Sequence, residues 1–493
     1  MKHTLVVLMV LLLWVFSAAL YAGPDCDKKA TTINGLPLHV KALGDKAIRL
    51  WIGDHVSSTA VSALNTEKGI VVIDTTECPE VDKVFRKVIA KKFGRDDFIT
   101  LINTHEHADH TNGNGVYADC EIIAHDTCAA GMKRSEADLK RVIAWSEENL
   151  PQLAKQVQEE KDPEKQRQLK ETLVVRKMRL KTMKENPAQT FPTRAFKDKM
   201  TLDMGDMTLE LYYMGGLHSA SDIFILVPEE GLLFTGDVMA DTWLTDTPGC
   251  LQSFGGRMGL KRDLNLMLEN WRSLIERGDE IKHYIPGHWN GELSRKGFKE
   301  RYAYLITLKE EVEKAAETGQ GPDALLADLD LERRFPHLAG KPGFTHGFVH
   351  TNNILAMWTD VTGAGSASDA LAMMIEKKGP EAALEKFKQG FKEGTLAKKY
   401  YFLEQDFNRL GYRYLNEEKA DEAIAVFKLN AAMYPESWNV YDSLGEAYLK
   451  HGDKGLALKS YAKALELNTQ QSEGEKKQYQ IQKGIVQKLK EGK

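Results

Sequence analysis

The sequence is poor in cysteine and has no large excess of charge of either sign. Its 493 residues include five cysteines but no C-x-x-C pair, which excludes a cysteine-rich zinc knuckle and a thioredoxin-like redox pair. A formal net charge of −5 provides no basic face, so we expect no nucleic-acid partner. A P-loop and a G-x-S-x-G motif are also missing from the sequence, which leaves no signal for a nucleotide site or a serine nucleophile of those types.

Long hydrophobic runs are scarce as well, and the clearest one lies near the start of the chain. It extends from Leu5 to Leu20, follows the positively charged Lys2, and is followed by small residues around Ala22. This pattern is typical of a secretory signal peptide, which we predict over residues 1–22. We therefore expect a periplasmic or secreted protein, or a membrane-anchored one if the segment is not cleaved. In such a compartment cysteines can form bridges, but an odd number leaves at least one unpaired within the chain.

The composition that is present is globular, with 42% hydrophobic and 28% charged residues, and the length suits two or three domains. Within residues 30–315, β-rich runs such as 97–105 alternate with helical spacing such as 79–93, which predicts an α/β domain. The segment 134–186 is charged and helical, typical of an inserted hairpin that is either solvated and self-packed or a lid or dimer arm. Residues 316–365 are predicted to connect this domain to the rest of the chain.

Residues 366–493 contain a repeated pattern. Pairs of similar residues recur 34 positions apart: Leu410-Gly411 and Leu444-Gly445, Tyr414 and Tyr448, Ala423 and Ala457, and Phe427 and Tyr461. This pattern resembles tetratricopeptide helix pairs, in which small residues let two helices approach and aromatic residues fill the space between them. The resemblance implies an all-α C-terminal domain. Such repeats bind a peptide or protein partner, or they only brace the N-terminal α/β domain or a homo-oligomer, and the sequence leaves both open.

A dense cluster of titratable residues follows one of the predicted strands. The stretch THEHADHTNGNG, residues 104–115, places His105, His107, Asp109 and His110 within six positions. At the end of an extended segment, residues two apart point the same way, so His105 and His107 can reach one metal ion. Asp109 and His110 lie past the turn and can reach a second ion. Imidazole and carboxylate groups are ligands that zinc accepts.

Three distant residues of the same types lie between or at the ends of other predicted strands: His218 in MGGLHSASD, Asp237 in LLFTGDV and His288 in YIPGH. The order H-x-H-x-D-H, His, G-D and P-G-H resembles the metallo-β-lactamase superfamily of binuclear metallohydrolases, over about residues 35–300. The resemblance implies a four-layered αβ/βα sandwich with the site at one edge of the two sheets. It also implies that Asp74, in GIVVIDTT, braces the metal loop.

The resemblance further implies how the ligands divide between two divalent ions. One ion would be held by His105, His107 and His218, the other by Asp109, His110 and His288, and Asp237 would bridge them. A hydroxide held between the ions would attack the substrate, and Asp109 would be the catalytic residue that orients it and shuttles its proton. Zinc is the expected metal, with iron or manganese as alternatives. Glu106 has no ligand role in this scheme.

We expect a small-molecule substrate with an ester, lactone, thioester or amide-type bond, and the fold alone does not choose among these. Asp237 as a bridging ligand resembles the glyoxalase II-like and lactonase-like members, whereas zinc β-lactamases typically place a cysteine there or have no bridging carboxylate. An exported location favours a β-lactam substrate somewhat, so that alternative stays open. Candidate substrate contacts in 238–261 are Trp243, Phe254, Arg257 and Met258. A hypothesis of another class is an assembly or peptide-binding protein that acts through its repeats.

Overall fold

The computed structural model of the protein describes residues 32–54, 59–133, 136–185, 188–239, 262–288, 293–339 and 348–491. The predicted signal peptide at 1–22 and the four candidate contacts Trp243, Phe254, Arg257 and Met258 lie outside these residues. Within the described ranges, no helix is both long enough and apolar enough to span a bilayer. The chain forms two compact units, one of Met1–Tyr213, Ser221–Leu244 and Gly278–Leu293 and the other of Met214–Ala220, Thr245–Arg277 and Ser294–Lys493.

The first unit contains an eight-stranded sheet whose strand order follows the chain. Its strands are β1 Thr32–Ile33, β2 Leu36–Ala42, β3 Ala47–Ile52, β4 Val61–Thr66, β5 Gly69–Ile73, β6 Phe98–Ile102, β7 Glu121–His125 and β8 Arg194–Phe196. Neighbouring strands are antiparallel from β1 to β5 and parallel from β5 to β8. Parallel neighbours need long crossover connections and bring their carboxyl ends to one edge of the sheet, so the residues after β5 and β6 lie at the same edge.

A second sheet of five strands faces the first. Its strands are β9 Lys199–Asp203, β10 Thr208–Tyr213, β11 Ile223–Val227, β12 Leu232–Gly236 and β13 His283–Pro286, in the order β13-β12-β11-β10-β9. Buried side chains from both sheets form one continuous core, as with Val71 and Ile102 from the first and Leu211, Ile225 and Phe234 from the second. Strands β12 and β13 are parallel, so the residues that follow them also emerge at one edge.

Five helices complete the described part of the first unit: α1 Pro79–Phe93, α2 Ala108–Thr111, α3 Cys128–Met132, α4 Glu136–Glu159 and α5 Pro163–Glu185. Helix α1 presents Val81, Phe85 and Ile89 at helical spacing, and these side chains pack on the outer face of the eight-stranded sheet. A proline in its first turn and Gly94 in a left-handed conformation after its last residue define its ends.

The α4–α5 hairpin occupies the predicted insertion, and its second helix packs against the domain. Met178 is buried in the same core as helix α1, and the Oε2 atom of Glu171 accepts a 2.8 Å hydrogen bond from the backbone N–H of Asp54. The guanidinium of Arg179 lies 3.3 Å from the carboxylate of Glu77. One of the two predicted interpretations, a purely solvated and self-packed insertion, therefore does not describe helix α5.

The second unit is mainly helical. Its helices are α6 Leu264–Glu276, α7 Arg295–Glu317, α8 Pro322–Asp328, α9 Leu331–Arg334, α10 Phe348–Thr362, α11 Ala367–Lys378, α12 Pro380–Lys392, α13 Glu404–Asn416, α14 Ala420–Met433, α15 Trp438–His451, α16 Lys454–Leu467 and α17 Glu473–Lys490, with a short parallel pair β14 Gly365–Ser366 and β15 Tyr400–Tyr401. The C-terminal helices share one core and fit the predicted repeats. A Cβ atom at Gly411 would lie 2.4 Å from the ring of Phe427, and one at Gly445 would lie 2.9 Å from the ring of Tyr461. The recurring glycine therefore lets a helix approach an aromatic side chain of the next helix.

Candidate metal centre

The seven predicted ligands come together from the ends of three strands and one connection. His105, His107, Asp109 and His110 follow β6, His218 lies between β10 and β11, Asp237 directly follows β12, and His288 follows β13. Their potential ligand atoms form two groups, His105 with His107, His218 and Asp237, and Asp109 with His110, Asp237 and His288. Within each group these atoms lie within 4.8 Å of one another, and Asp237 belongs to both.

Distances within the second group show how closely its atoms converge. The Nε2 atom of His288 lies 3.0 Å from Oδ2 of Asp237 and 3.4 Å from Oδ2 of Asp109. The Nε2 atom of His110 lies 3.4 Å and 3.5 Å from the same two oxygens. Two imidazole nitrogens and two carboxylate oxygens therefore face one point, which is the arrangement that a single divalent ion requires.

Asp74 orients a histidine in each group. Its Oδ2 atom accepts a hydrogen bond from Nδ1 of His110 at 3.0 Å and from Oγ1 of Thr104 at 2.7 Å. The Thr104 hydroxyl, having donated its hydrogen to Asp74, accepts from Nδ1 of His105 at 3.1 Å. Both histidines thus keep a proton on Nδ1 and direct a lone pair on Nε2 into the site. Such outer hydrogen bonds fix the tautomer and the ring orientation of a metal-binding histidine.

Two glycines allow the strand ends to approach one another. A Cβ atom at Gly287 would lie 2.2 Å from Oδ1 of Asp237 and 2.9 Å from the His110 ring. Gly236 has a φ of +48°, and a Cβ there would lie 2.9 Å from the Thr104 hydroxyl oxygen. These contacts give a physical reason for glycine in the P-G-H and G-D motifs, because any side chain would displace a ligand or the threonine that orients His105.

The charges of the site favour a cation. Burial opposes the shift, but the carboxylates of Asp237 and Asp109 raise the pKa of His288 to about 10. Burial likewise opposes the shift at Asp237, yet His288 and His110 hold the pKa of that carboxyl well below its ordinary value. The carboxylates are therefore ionised at neutral pH, and their negative charge favours a cation beside them, which is a proton on an imidazole when no metal ion is bound. A metal ion that replaces the protons on Nε2 satisfies the same carboxylates.

Several residues at the site were not anticipated from the sequence. The Thr59 hydroxyl donates to Oδ2 of Asp109 at 3.4 Å, and the buried Arg49 donates to the carbonyl oxygen of His288 at 3.0 Å. Thr59 also forms an isolated bridge with His288. Neither residue carries a sequence signal, because threonine and arginine occur throughout the chain and these contacts span 50 and 239 residues.

Glu106 is buried rather than exposed, although it sits within the histidine cluster. Its Oε2 atom accepts hydrogen bonds from the backbone N–H of Ser221, at 3.2 Å, and from the Ser221 hydroxyl. Glu106 thereby ties the metal loop to the start of the strand that follows His218. It belongs to neither ligand group among the residues that the structure describes.

Residues 52–288 match the model of the metallo-beta-lactamase superfamily. The matched segment contains all seven clustered residues and the strands from β4 to β13. This segment belongs to the metallo-β-lactamase superfamily, and the predicted fold class is confirmed.

Several known proteins resemble parts of the chain. One is the 2,4-dinitroanisole O-demethylase subunit alpha of Nocardioides sp. (strain JS1661), 32% identical over 107 residues that cover 21% of this chain and 32% of that protein. Another is the metallo-beta-lactamase type 2 of Bacillus cereus, 22% identical over 249 residues that cover 50% of this chain and 71% of that protein. The chain thus spans about a third of the first relative. A solved structure of a double mutant of the sec-alkyl sulfatase PisA1 is 13% identical and covers 87% of this chain and 66% of that one, with a TM-score of 0.44.

Proposed function

We propose that the protein is a metal-dependent hydrolase that cleaves an ester, lactone, thioester or amide-type bond in a small molecule. The observation that carries this proposal is the pair of ligand groups that share Asp237. A carboxylate shared by both groups would hold two divalent ions close enough to act on the same bond. Membership of the metallo-β-lactamase superfamily over residues 52–288 supports the same chemistry.

The donor atoms fit two zinc ions. Imidazole nitrogen and carboxylate oxygen are ligands of zinc, and iron and manganese accept the same set. The hydrogen bonds that His110 and His105 donate from Nδ1 to Asp74 and Thr104 leave Nε2 of each ring available to bind a metal. When bound, two such ions lower the pKa of water towards neutrality and polarise the scissile group of the substrate.

Asp109 is the residue best placed to handle a proton. Its side chain is 34% exposed, whereas that of Asp237 is 3% exposed, so Asp109 is open to solvent and substrate. The Thr59 hydroxyl and the Nε2 atoms of His110 and His288 hold its Oδ2 atom in place. We assign to Asp109 the orientation of the attacking water, the uptake of its proton, and the later delivery of that proton to the leaving group.

Two further aspects of the proposal concern the substrate and the location. An aspartate at the shared position supports a lactone or thioester substrate, whereas the relative named metallo-beta-lactamase type 2 of Bacillus cereus supports the β-lactam alternative. The apolar run near the start of the chain supports export to the periplasm or beyond. A role in binding a peptide or protein partner, or in homo-oligomer assembly, is proposed for the repeats of the second unit.

The test is a hydrolysis assay with a panel of esters, lactones, thioesters and β-lactams. We expect the wild-type protein to cleave one of these classes, to lose activity with a chelator, and to regain it with zinc. Asp237→Ala should lower kcat/KM by a factor on the order of 10² or more, because removal of the shared ligand disrupts both groups. Asp45→Ala is the control, since Asp45 is exposed in the turn after β2. Wild-type activity in Asp237→Ala, or activity indifferent to the chelator, would contradict the proposal.

A further inference from the structure

Two buried asparagines beside the metal loop bond to each other through their side-chain amides. Nδ2 of Asn103 donates to Oδ1 of Asn114 at 3.0 Å, and Nδ2 of Asn114 donates to Oδ1 of Asn103 at 2.9 Å. Both side chains are fully buried, with no exposed surface. A reciprocal amide pair of this kind has a single arrangement, because flipping either amide would face two donors or two acceptors.

The second hydrogen on each amide reaches a backbone carbonyl. Asn103 donates to the carbonyl oxygen of His110 at 3.0 Å, and Asn114 donates to that of Thr190 at 3.1 Å. All four amide hydrogens of the pair are therefore used. The contacts join three segments of the first unit: the end of β6, the turn that carries Asp109 and His110, and the chain that returns from the α4–α5 hairpin.

The carbonyl of His110 is held from more than one side. The backbone N–H of Thr75 also donates to it, at 3.1 Å, and Thr75 adjoins Asp74, which bonds to the His110 ring. The backbone of His110 is thus fixed by Asn103 and Thr75 while its ring is fixed by Asp74. The Thr75 hydroxyl donates to the same oxygen at 3.1 Å, so loss of the Asn103 bond would leave the carbonyl paired with Thr75 but would remove its contact with the end of β6.

We propose that the Asn103–Asn114 pair is a positioning element that holds Asp109 and His110 in the geometry of the second ligand group. The first group depends on the pair less, because His105 is oriented by Thr104 and His218 comes from a distant connection. This inference rests on the proposed metal-dependent function. It predicts a selective effect: a change in the pair weakens the binding of the metal ion in the second ligand group more than the binding of the ion in the first.

The test uses Asn114→Asp and Asn103→Asp, which keep the size of the side chain but remove its two N–H donors. In Asn114→Asp a carboxylate would face Oδ1 of Asn103 and the Thr190 carbonyl, which are both acceptors. Asn112→Asp is the matched control, because it adds the same charge in the same loop but its amide is 3.4 Å from the Glu77 carbonyl and outside the pair. Stepwise zinc affinities are measured by competition with a chelator dye on metal-free protein, beside thermal unfolding of each metal-free variant.

We expect Asn114→Asp and Asn103→Asp to bind the first zinc ion as wild type does and the second about 10-fold to 100-fold more weakly, the usual effect of losing an outer-shell partner. Asn112→Asp should keep both affinities. Equal weakening of both ions, or no weakening, would overturn the proposal. If the Asp variants do not fold, Asn114→Ser, which is smaller and uncharged but cannot bridge Asn103 and Thr190, is measured in their place. Absence of tightly bound zinc, iron and manganese in the wild-type protein would instead refute the proposed function itself.

Discussion

The Nδ1 atom of His110 lies 3.0 Å from Oδ2 of Asp74. The same carboxylate receives the Thr104 hydroxyl, through which it reaches His105, so one aspartate orients a histidine in each ligand group. Asp74 adopts a left-handed backbone conformation with a φ of +61°, which is uncommon outside glycine and asparagine. This backbone conformation at a non-glycine residue coincides with the point where both groups are organised.

Asp74→Asn should weaken the binding of both metal ions. Asparagine tolerates the left-handed backbone and keeps the size of the side chain. Its NH2 group, however, must face either the Thr104 backbone N–H, which donates to Oδ1 of Asp74 at 2.7 Å, or the two donors that meet at Oδ2. We expect each zinc affinity to fall by about 10-fold to 100-fold, measured by competition with a chelator. Asp45→Asn serves as the exposed control. Wild-type affinities in Asp74→Asn would show that Asp74 does not organise the site.

Gly287→Ala should prevent Asp237 from binding a metal ion while leaving the fold intact. The added methyl would lie 2.2 Å from Oδ1 of Asp237, so the carboxylate must move away from both groups. We expect fewer than two zinc ions per chain by metal analysis of the purified variant. Gly484→Ala is the control, because no atom lies within 4 Å of a Cβ there and Gly484 lies inside helix α17. That variant should bind metal normally and gain up to about 1 kcal/mol of stability from helix propensity.

Asp82 makes the stability of the metal-free protein depend on pH. Burial raises the pKa of its carboxyl from an ordinary 3.8 to about 7, although hydrogen bonds from Thr76 oppose the shift. Between pH 4 and 7 the folded state therefore binds more protons here than the unfolded state does, so this residue's contribution to the free energy of unfolding falls as pH rises through that window.

Asp82→Asn should remove this dependence. Asparagine accepts from the Thr76 N–H as Asp82 does, and it carries no charge. The difference between the two proteins in the free energy of unfolding should change by an amount on the order of 4 kcal/mol between pH 4 and 7, at roughly 1.4 kcal/mol per pKa unit. Urea unfolding of both metal-free proteins at several pH values measures this difference. Parallel curves for the two proteins would refute the assignment.

Met178→Ala should destabilise the first unit, because helix α5 packs against its core. Met178 is 8% exposed and shares a cluster with Phe85 and Ile89 of helix α1. Truncation of a buried methionine costs about 2–5 kcal/mol, which urea unfolding detects. Lys177→Ala, at an exposed neighbouring position of the same helix, should change stability by less than about 0.5 kcal/mol. Equal stability of the two variants would indicate a hairpin that does not pack on the domain.

Much of the site could be predicted from the sequence because its ligands are chemically distinctive and stand at the ends of apolar runs. His105, His107, Asp109 and His110 follow β6 directly, and Asp237 follows β12, where parallel strands bring their ends together. The supporting contacts could not be predicted in this way. Thr59 reaches Asp109 across 50 residues, and nothing distinguishes Asn103 and Asn114 from ordinary polar residues until their amides are seen to be buried together.

The hairpin shows the same limit of sequence reasoning. Its charge and helical spacing predict two helices, and α4 and α5 are present. The charged surface of α5 gives no periodic apolar face, yet Glu171 and Arg179 bond to the domain at Asp54 and Glu77. Polar contacts of this kind depend on which surface the helix meets, and that surface is distant in the sequence.

Metal content per chain, measured for the wild-type protein and for Asp237→Ala after reconstitution with zinc, tests the central claim most directly. The shared position of Asp237 in both ligand groups predicts about two equivalents in the wild type, the number of ions that a binuclear site holds, and a clear loss in Asp237→Ala. Iron bound in preference to zinc would keep the binuclear site and change the metal. Absence of tightly bound metal in the wild-type protein would contradict the account of this site as a hydrolytic centre.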